Sequence, residues 1–230
     1  MCGSLMTQEI LEAFTEEISA RQGNVTDTFH QPGQLFVRSV LPQVEEIRAR
    51  DKVQNGVALR ATDAAVWVYP YVFRLVCKNG AIMAHSAEGR EVPNLESLPA
   101  FEAVALVREA VESCCERKAF ATATEQMRTA AHQPIDAILN MMPFLSRVSS
   151  LSPQLARQIF GRFFHETDRT RYGLMNAVTS VARDTQDHAT RWRLEELGGL
   201  LAVMQSPEPA LDDGAEELIP RDDEALVIAR

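Results

Sequence analysis

Apolar positions near the start of the chain recur at Ile10, Leu11, Phe14 and Ile18. That stripe predicts an amphipathic helix over residues 7–21, stopped by Gln22-Gly23-Asn24. The period then shortens. Residues 35–41 alternate well enough for a strand closed by Pro42, while residues 44–50, rich in Glu and Arg, suit a short helix or an exposed connection. Asn55-Gly56 marks a turn, with a further strand over 57–62. The longest β-prone run follows, V-W-V-Y-P-Y-V-F-R-L-V-C-K-N-G-A-I-M-A-H from Val66 to His85. Two strands joined at Lys78-Asn79-Gly80 account for it, because Asn-Gly between apolar runs favours the two positive-φ positions of a tight hairpin. Pro70 lacks a ladder donor, so a bend is expected there, separating residues 66–69 from a strand at 72–77.

Past residue 88 the pattern turns helical. A polar connection over 88–99 leads to a helix at 101–131 without Gly or Pro, with Phe101, Val104, Ala105, Val107 and Val111 on one face. Pro134 suits the first turn of a helix over 135–148, and Ser152-Pro153 is an N-cap followed by an N1 proline for a helix reaching about residue 167. A last long helix is predicted over 171–205, with Gly198-Gly199 as a weak point. Strands grouped together and then helices indicate α+β. The expected architecture is one domain over residues 1–206. It has an N-terminal helix, a small antiparallel sheet of three or four strands at about 35–85, and a mostly helical C-terminal half at about 101–205.

Charge alters this picture at one end. Residues 207–230 hold eight acids against Arg221 and Arg230, which is −6 of the total net charge of −9. The body is close to neutral, and the last segment reads as a disordered acidic tail or a partner-binding one. No apolar run approaches the roughly 20 residues of a membrane span, and the first residues lack the basic start and apolar core of a signal peptide. A cytoplasmic protein with no membrane partner is expected. Cys2, Cys77, Cys114 and Cys115 show no C-x-x-C spacing, and read as small buried hydrophobes.

Signatures of catalysis are missing. The five histidines form no metal-type spacing, and His165-Glu166-Thr167-Asp168 sits at a helix end, where such residues are usually solvated. No phosphate loop, nucleophile elbow or dinucleotide fingerprint is present. No metal, cofactor or catalytic residue is therefore assigned. Two polar constellations remain. Arg74 and Lys78, with Tyr69 and Tyr71 nearby, would make a basic sheet face carrying aromatic rings, suited to phosphate contact and base stacking on single strands. Arg169, Tyr172, Asn176, Thr179 and Arg183 share one face of the last helix, where Asn176 amid apolar neighbours needs a polar contact from the fold or from a ligand.

V-F-R-L-V-C-K-N-G-A-I and, about ninety residues later, R-Y-G-L-M-N-A-V-T-S-V-A-R-D with R-L-E-E-L-G-G-L-L resemble the phage- and plasmid-associated domain-of-unknown-function family 932. The resemblance spans about residues 57–201 and singles out Arg74, Cys77, Asn79, Gly80, Asn176 and Thr179 as motif positions without an assigned role. It implies a protein of mobile elements or bacterial genomes. In element order alone, the chain is also similar to the Rad-fifty-two-like strand-annealing proteins, which form rings on single-stranded DNA.

The leading expectation is a non-enzymatic, homo-oligomeric binder or annealer of single-stranded DNA acting in recombination. Arg74, Lys78 and Arg183 would contact it, Tyr69 or Tyr71 would stack, and the acidic tail would compete for the site or recruit a protein. The alternatives are an interaction module of a larger assembly, or an enzyme whose pocket gathers Arg74, Asn79, Asn176, Arg183 and His165 between sheet and last helix.

Overall fold

The computed structural model describes residues 2–135 and 151–204. The helix expected over 135–148, apart from its first residue, and the acidic tail lie outside the described residues. Helix α1 (Cys2–Ala20) is followed by seven strands: β1 (Asn24–Gln31), β2 (Gln34–Val40), β3 (Val44–Arg48), β4 (Asp51–Thr62), β5 (Ala65–Arg74), β6 (Asn79–Ile82) and β7 (Arg90–Pro93). After a 3-10 turn come α2 (Ala100–Cys115), α3 (Arg117–Ala131), α4 (Pro153–His165), α5 (Arg171–Asp184) and α6 (His188–Val203). This is the α+β order that the sequence implies, with a larger sheet than the three or four strands expected.

All strands pair antiparallel around two long central ones, β4 and β5. Each central strand is flanked by two shorter strands laid end to end: β2 and β3 beside β4, and β7 and β6 beside β5. Asn55-Gly56 is therefore no turn. It lies mid-strand in β4, where Asn55 accepts from Leu41 N–H (2.7 Å) and donates to Gln43 O (2.9 Å), satisfying the link between β2 and β3. Pro70 does not split β5 either. Its carbonyl accepts from Met83 N–H (2.9 Å). A strand residue's N and O point to the same side, so its missing donor faces the gap between β7 and β6 and costs no ladder bond.

The even-numbered positions of β5 explain the main layer. Val66 and Val68 meet Ile10, Phe14 and Ile18 of α1 and Val107 and Val111 of α2, all fully buried. Val72 meets the second cluster, formed with Met127 of α3, Ile159 of α4, Tyr172 and Val178 of α5, and Leu194 of α6. Burial of each such side chain contributes about 1.5–3 kcal/mol. On the opposite face Phe36, Tyr71 and Ile82 pack on Trp192. Helix α6 reaches both faces because it runs along the β6 edge. A Cβ on Gly199 would sit 1.9 Å from Ile82 O, so Gly198-Gly199 is a close helix–strand contact and not a weak point. The break in the expected 171–205 helix falls earlier, at residues 185–187, where Asp187 caps α6 by accepting from Thr190 N–H.

Candidate functional site

Residues 75–78 form the loop between β5 and β6, with Lys78 in the left-handed region at φ 52°. The expected Asn-Gly turn is thereby displaced by two residues, because Asn79 and Gly80 are claimed as buried positions of β6. Gly80 keeps negative φ, and a Cβ there would lie 2.1 Å from the Tyr71 hydroxyl oxygen. Its role is close packing. The strand stops at Arg74, so Arg74 and Lys78 do not continue one strand face.

What the loop rests on is the polar face of α5. Asn79 Nδ2 donates to Thr179 Oγ1 (2.6 Å), and Thr179 in turn donates to Met175 O (3.0 Å). Arg183 Nη1 donates to Cys77 O (2.6 Å), and Arg74 Nη1 lies 3.1 Å from Cys77 Sγ. Arg74 is held by both oxygens of Asp51 (2.7 and 2.8 Å) with its guanidinium 5.8 Å from the Tyr172 ring centroid. Burial opposes the charge on Arg74, but the Asp51 carboxylate wins and its pKa rises. Burial likewise drives the Tyr172 hydroxyl upward. Arg48 closes the group, reaching Asp168 at 2.6 Å and Asp51 at 3.5 Å. Burial would raise the Asp168 carboxyl, yet its hydrogen bond from Thr170 and the Arg48 guanidinium hold it below its ordinary range.

Thus the hairpin and the face of the last helices, separate in the sequence, become one network. Arg74, Cys77, Asn79, Asn176, Thr179 and Arg183 all enter it. His165, at the exposed end of α4, takes no part. At its centre Asn79 Oδ1 and Asn176 Oδ1 have no partner, and Asn79, Asn176 and Tyr172 line a cavity of about 10 Å3. That is room for about one water. The gathering is too tight for an organic substrate and acts as a brace.

The tyrosines expected to stack lie elsewhere. Tyr69 and Tyr71 are odd-numbered in β5, so they face away from Arg74. Tyr71 is buried under the Trp192 cluster, and Tyr69 is half-buried with its ring centroid 6.4 Å from that of Trp192. Burial pushes the Tyr69 hydroxyl up to about 12. The Tyr71 ring is closed to a base, the Tyr69 ring is only partly open, and Arg74 is committed to Asp51. Of the residues expected to touch nucleic acid, Lys78 and Arg183 remain exposed, and Arg183 is engaged by Asp184 at 2.9 Å.

Two cations that the sequence did not single out stand beside Lys78. The β3–β4 tip carries Arg50, left-handed at φ 66°, and Lys52. Leu75 N–H donates to Lys52 O (2.9 Å), so this tip and the 75–78 loop lie side by side. Among the described residues, Arg50, Lys52 and Lys78 are exposed and have no carboxylate within ion-pair distance, although Arg50 N–H itself donates to Glu46 Oε1 (3.3 Å). Leu75 (37% exposed) and Val76 (62%) add apolar surface to the same loop. A short Glu/Arg-rich run gave no sign of a hairpin, which is why Arg50 and Lys52 were invisible before the strand pairing was known.

A second polar network, also unforeseen, lies under the sheet's other face. Arg38, 1% exposed, pairs with Glu195 (2.7 Å) and Asp27 (3.1 Å), and Arg191 bridges the same two acids at 3.0 Å each. It fixes α6 to β1 and β2. Of the free thiols, Cys77 belongs to the first network, while Cys114 and Cys115 lie outside both: burial raises the Cys114 thiol and pushes Cys115 up to about 11. No group of three or more His, Cys, Asp or Glu among the described residues is placed to hold a metal ion, and no described helix is long and apolar enough to cross a membrane.

Comparison with family models, curated proteins and solved structures finds no match.

Proposed function

We propose that the protein binds single-stranded nucleic acid, without catalysis, at the paired tips formed by residues 49–52 and 75–78. The observation that carries this is the side-by-side placement of Arg50, Lys52 and Lys78, three exposed cations without carboxylate partners, with exposed Leu75 and Val76. Cations neutralise backbone phosphates, and apolar side chains pack on bases and sugars that a duplex keeps stacked away. Asp51, Arg74 and the α5 face hold both tips rigid, so little conformational freedom is lost on binding.

In place of Tyr69 and Tyr71, the aromatic surface on offer is the Phe164 ring, 62% accessible near the end of α4 and 5.6 Å from the Arg169 guanidinium. Arg48–Asp168 ties the segment after α4 to the β3–β4 tip. Fluorescence anisotropy of labelled single-stranded and duplex oligonucleotides tests the proposal. Preference for the single strand, lost in Leu75→Ser/Val76→Ser, supports it. Equal affinity for both forms, or unchanged preference in that variant, contradicts it.

A further inference from the structure

A groove of about 580 Å3 lies between α3 and the end of α6. Thr129, Gln133, Arg171 and Met204 are among its lining residues. Arg171 differs from the carboxylate-paired Arg38 and Arg74. It is 9% exposed, its Nε and Nη1 have no acceptor, and Nη2 makes one long contact to Ala202 O (3.4 Å). No carboxylate faces it: burial alone acts on its charge, lowering its pKa. The other deeply buried guanidinium, Arg38, has two acids. A buried cation without a counter-ion is costly, and that cost falls when an anion enters.

Two features narrow the anion. The site supplies a single positive charge, and Glu125 also lines the groove, so a singly charged carboxylate fits better than a phosphate dianion. The chain itself supplies carboxylates next to it. Met204 lines the groove, and Glu208, Asp212, Asp213, Glu216 and Glu217 follow within thirteen residues, with Glu208 at most about 14 Å along the chain from Met204. Tethering of this kind gives an effective concentration in the millimolar range. We infer that the groove between α3 and α6 receives a carboxylate of the chain's own acidic segment, with Arg171 as its counter-ion.

A reversal of sign tests this in the full-length chain. Arg171→Met removes the charge and keeps much of the volume. In the otherwise unaltered chain it breaks an ion pair, and Tm falls by several degrees. In a chain with Glu208, Asp212, Asp213, Glu216 and Glu217 changed to amides, Arg171 is already unpaired, so the same change leaves Tm equal or raises it by about 2–4 °C. A second arm titrates acetate into the amide variant: it stabilises the chain with Arg171 and not the one with Met. An equal Tm change from Arg171→Met in both backgrounds overturns the inference. If acetate still stabilises only the Arg171 form in that case, the site takes a free carboxylate instead.

Discussion

At the scale of single residues, Thr179 Oγ1 is the structural acceptor for Asn79 Nδ2. Thr179→Val keeps the shape but leaves Asn79 Nδ2 with only a 3.4 Å contact to Asn176 O. Such a buried unsatisfied donor costs about 1–3 kcal/mol, measurable by urea unfolding, while Thr179→Ser should cost much less. His188 gives a pH signature. Its ring stacks on Phe29 at 3.8 Å between centroids and its Nδ1 has no partner. Burial lowers its pKa first of all; Arg38 and Arg191 add to this, against the opposite pull of Asp27 and Asp187. The unfolded chain therefore takes up a proton near its ordinary value of about 6.5 while the folded one resists. Stability contributed by the neutral ring is present above that pH and declines as pH falls below it. His188→Phe should flatten the stability profile between about pH 7 and 5; an unchanged profile would contradict the assignment.

At the scale of elements, legibility followed from whether local pattern and tertiary demand agreed. Helix α1 and the Ser152-Pro153 start of α4 were readable because stripe and cap are local signals. Strand β1 was not, because Asp27 occupies an inward position of its alternation and is satisfied only by Arg38 and Arg191. The 101–131 run divides at Glu116, whose extended backbone separates α2 from α3 with no Gly or Pro to announce it. For the site, the polar stripe Tyr172, Asn176, Thr179 and Arg183 was legible, as was the importance of Arg74 and Asn79. Their union was not, since pairing between segments about a hundred residues apart leaves no local trace. Arg169 leaves the stripe to donate to the α4 carbonyls of Glu166 (2.7 Å) and Phe164 (2.9 Å). The same scale yields a prediction at Gly199, where any side chain meets the Ile82 carbonyl. Gly199→Ala must push α6 off the β6 edge, and a loss of about 1–3 kcal/mol or more is expected in thermal or urea unfolding.

At the scale of the whole molecule, helices pack on one face of the sheet and α6 runs along the β6 edge, while the described tips at residues 49–52 and 75–78 carry exposed side chains. The two buried networks pair their guanidiniums with carboxylates, whereas Arg50, Lys52 and Lys78 face outward with no carboxylate within ion-pair distance. The proposal that these outward cations contact phosphate is tested by the salt dependence of single-strand binding. Three phosphate contacts predict a slope of log K against log salt near −2, at about −0.7 per contact on a single strand. Arg50→Glu/Lys52→Glu/Lys78→Glu should abolish binding while leaving urea unfolding nearly unchanged. Binding that survives the triple reversal with its slope intact would contradict the claim and shift attention to another surface.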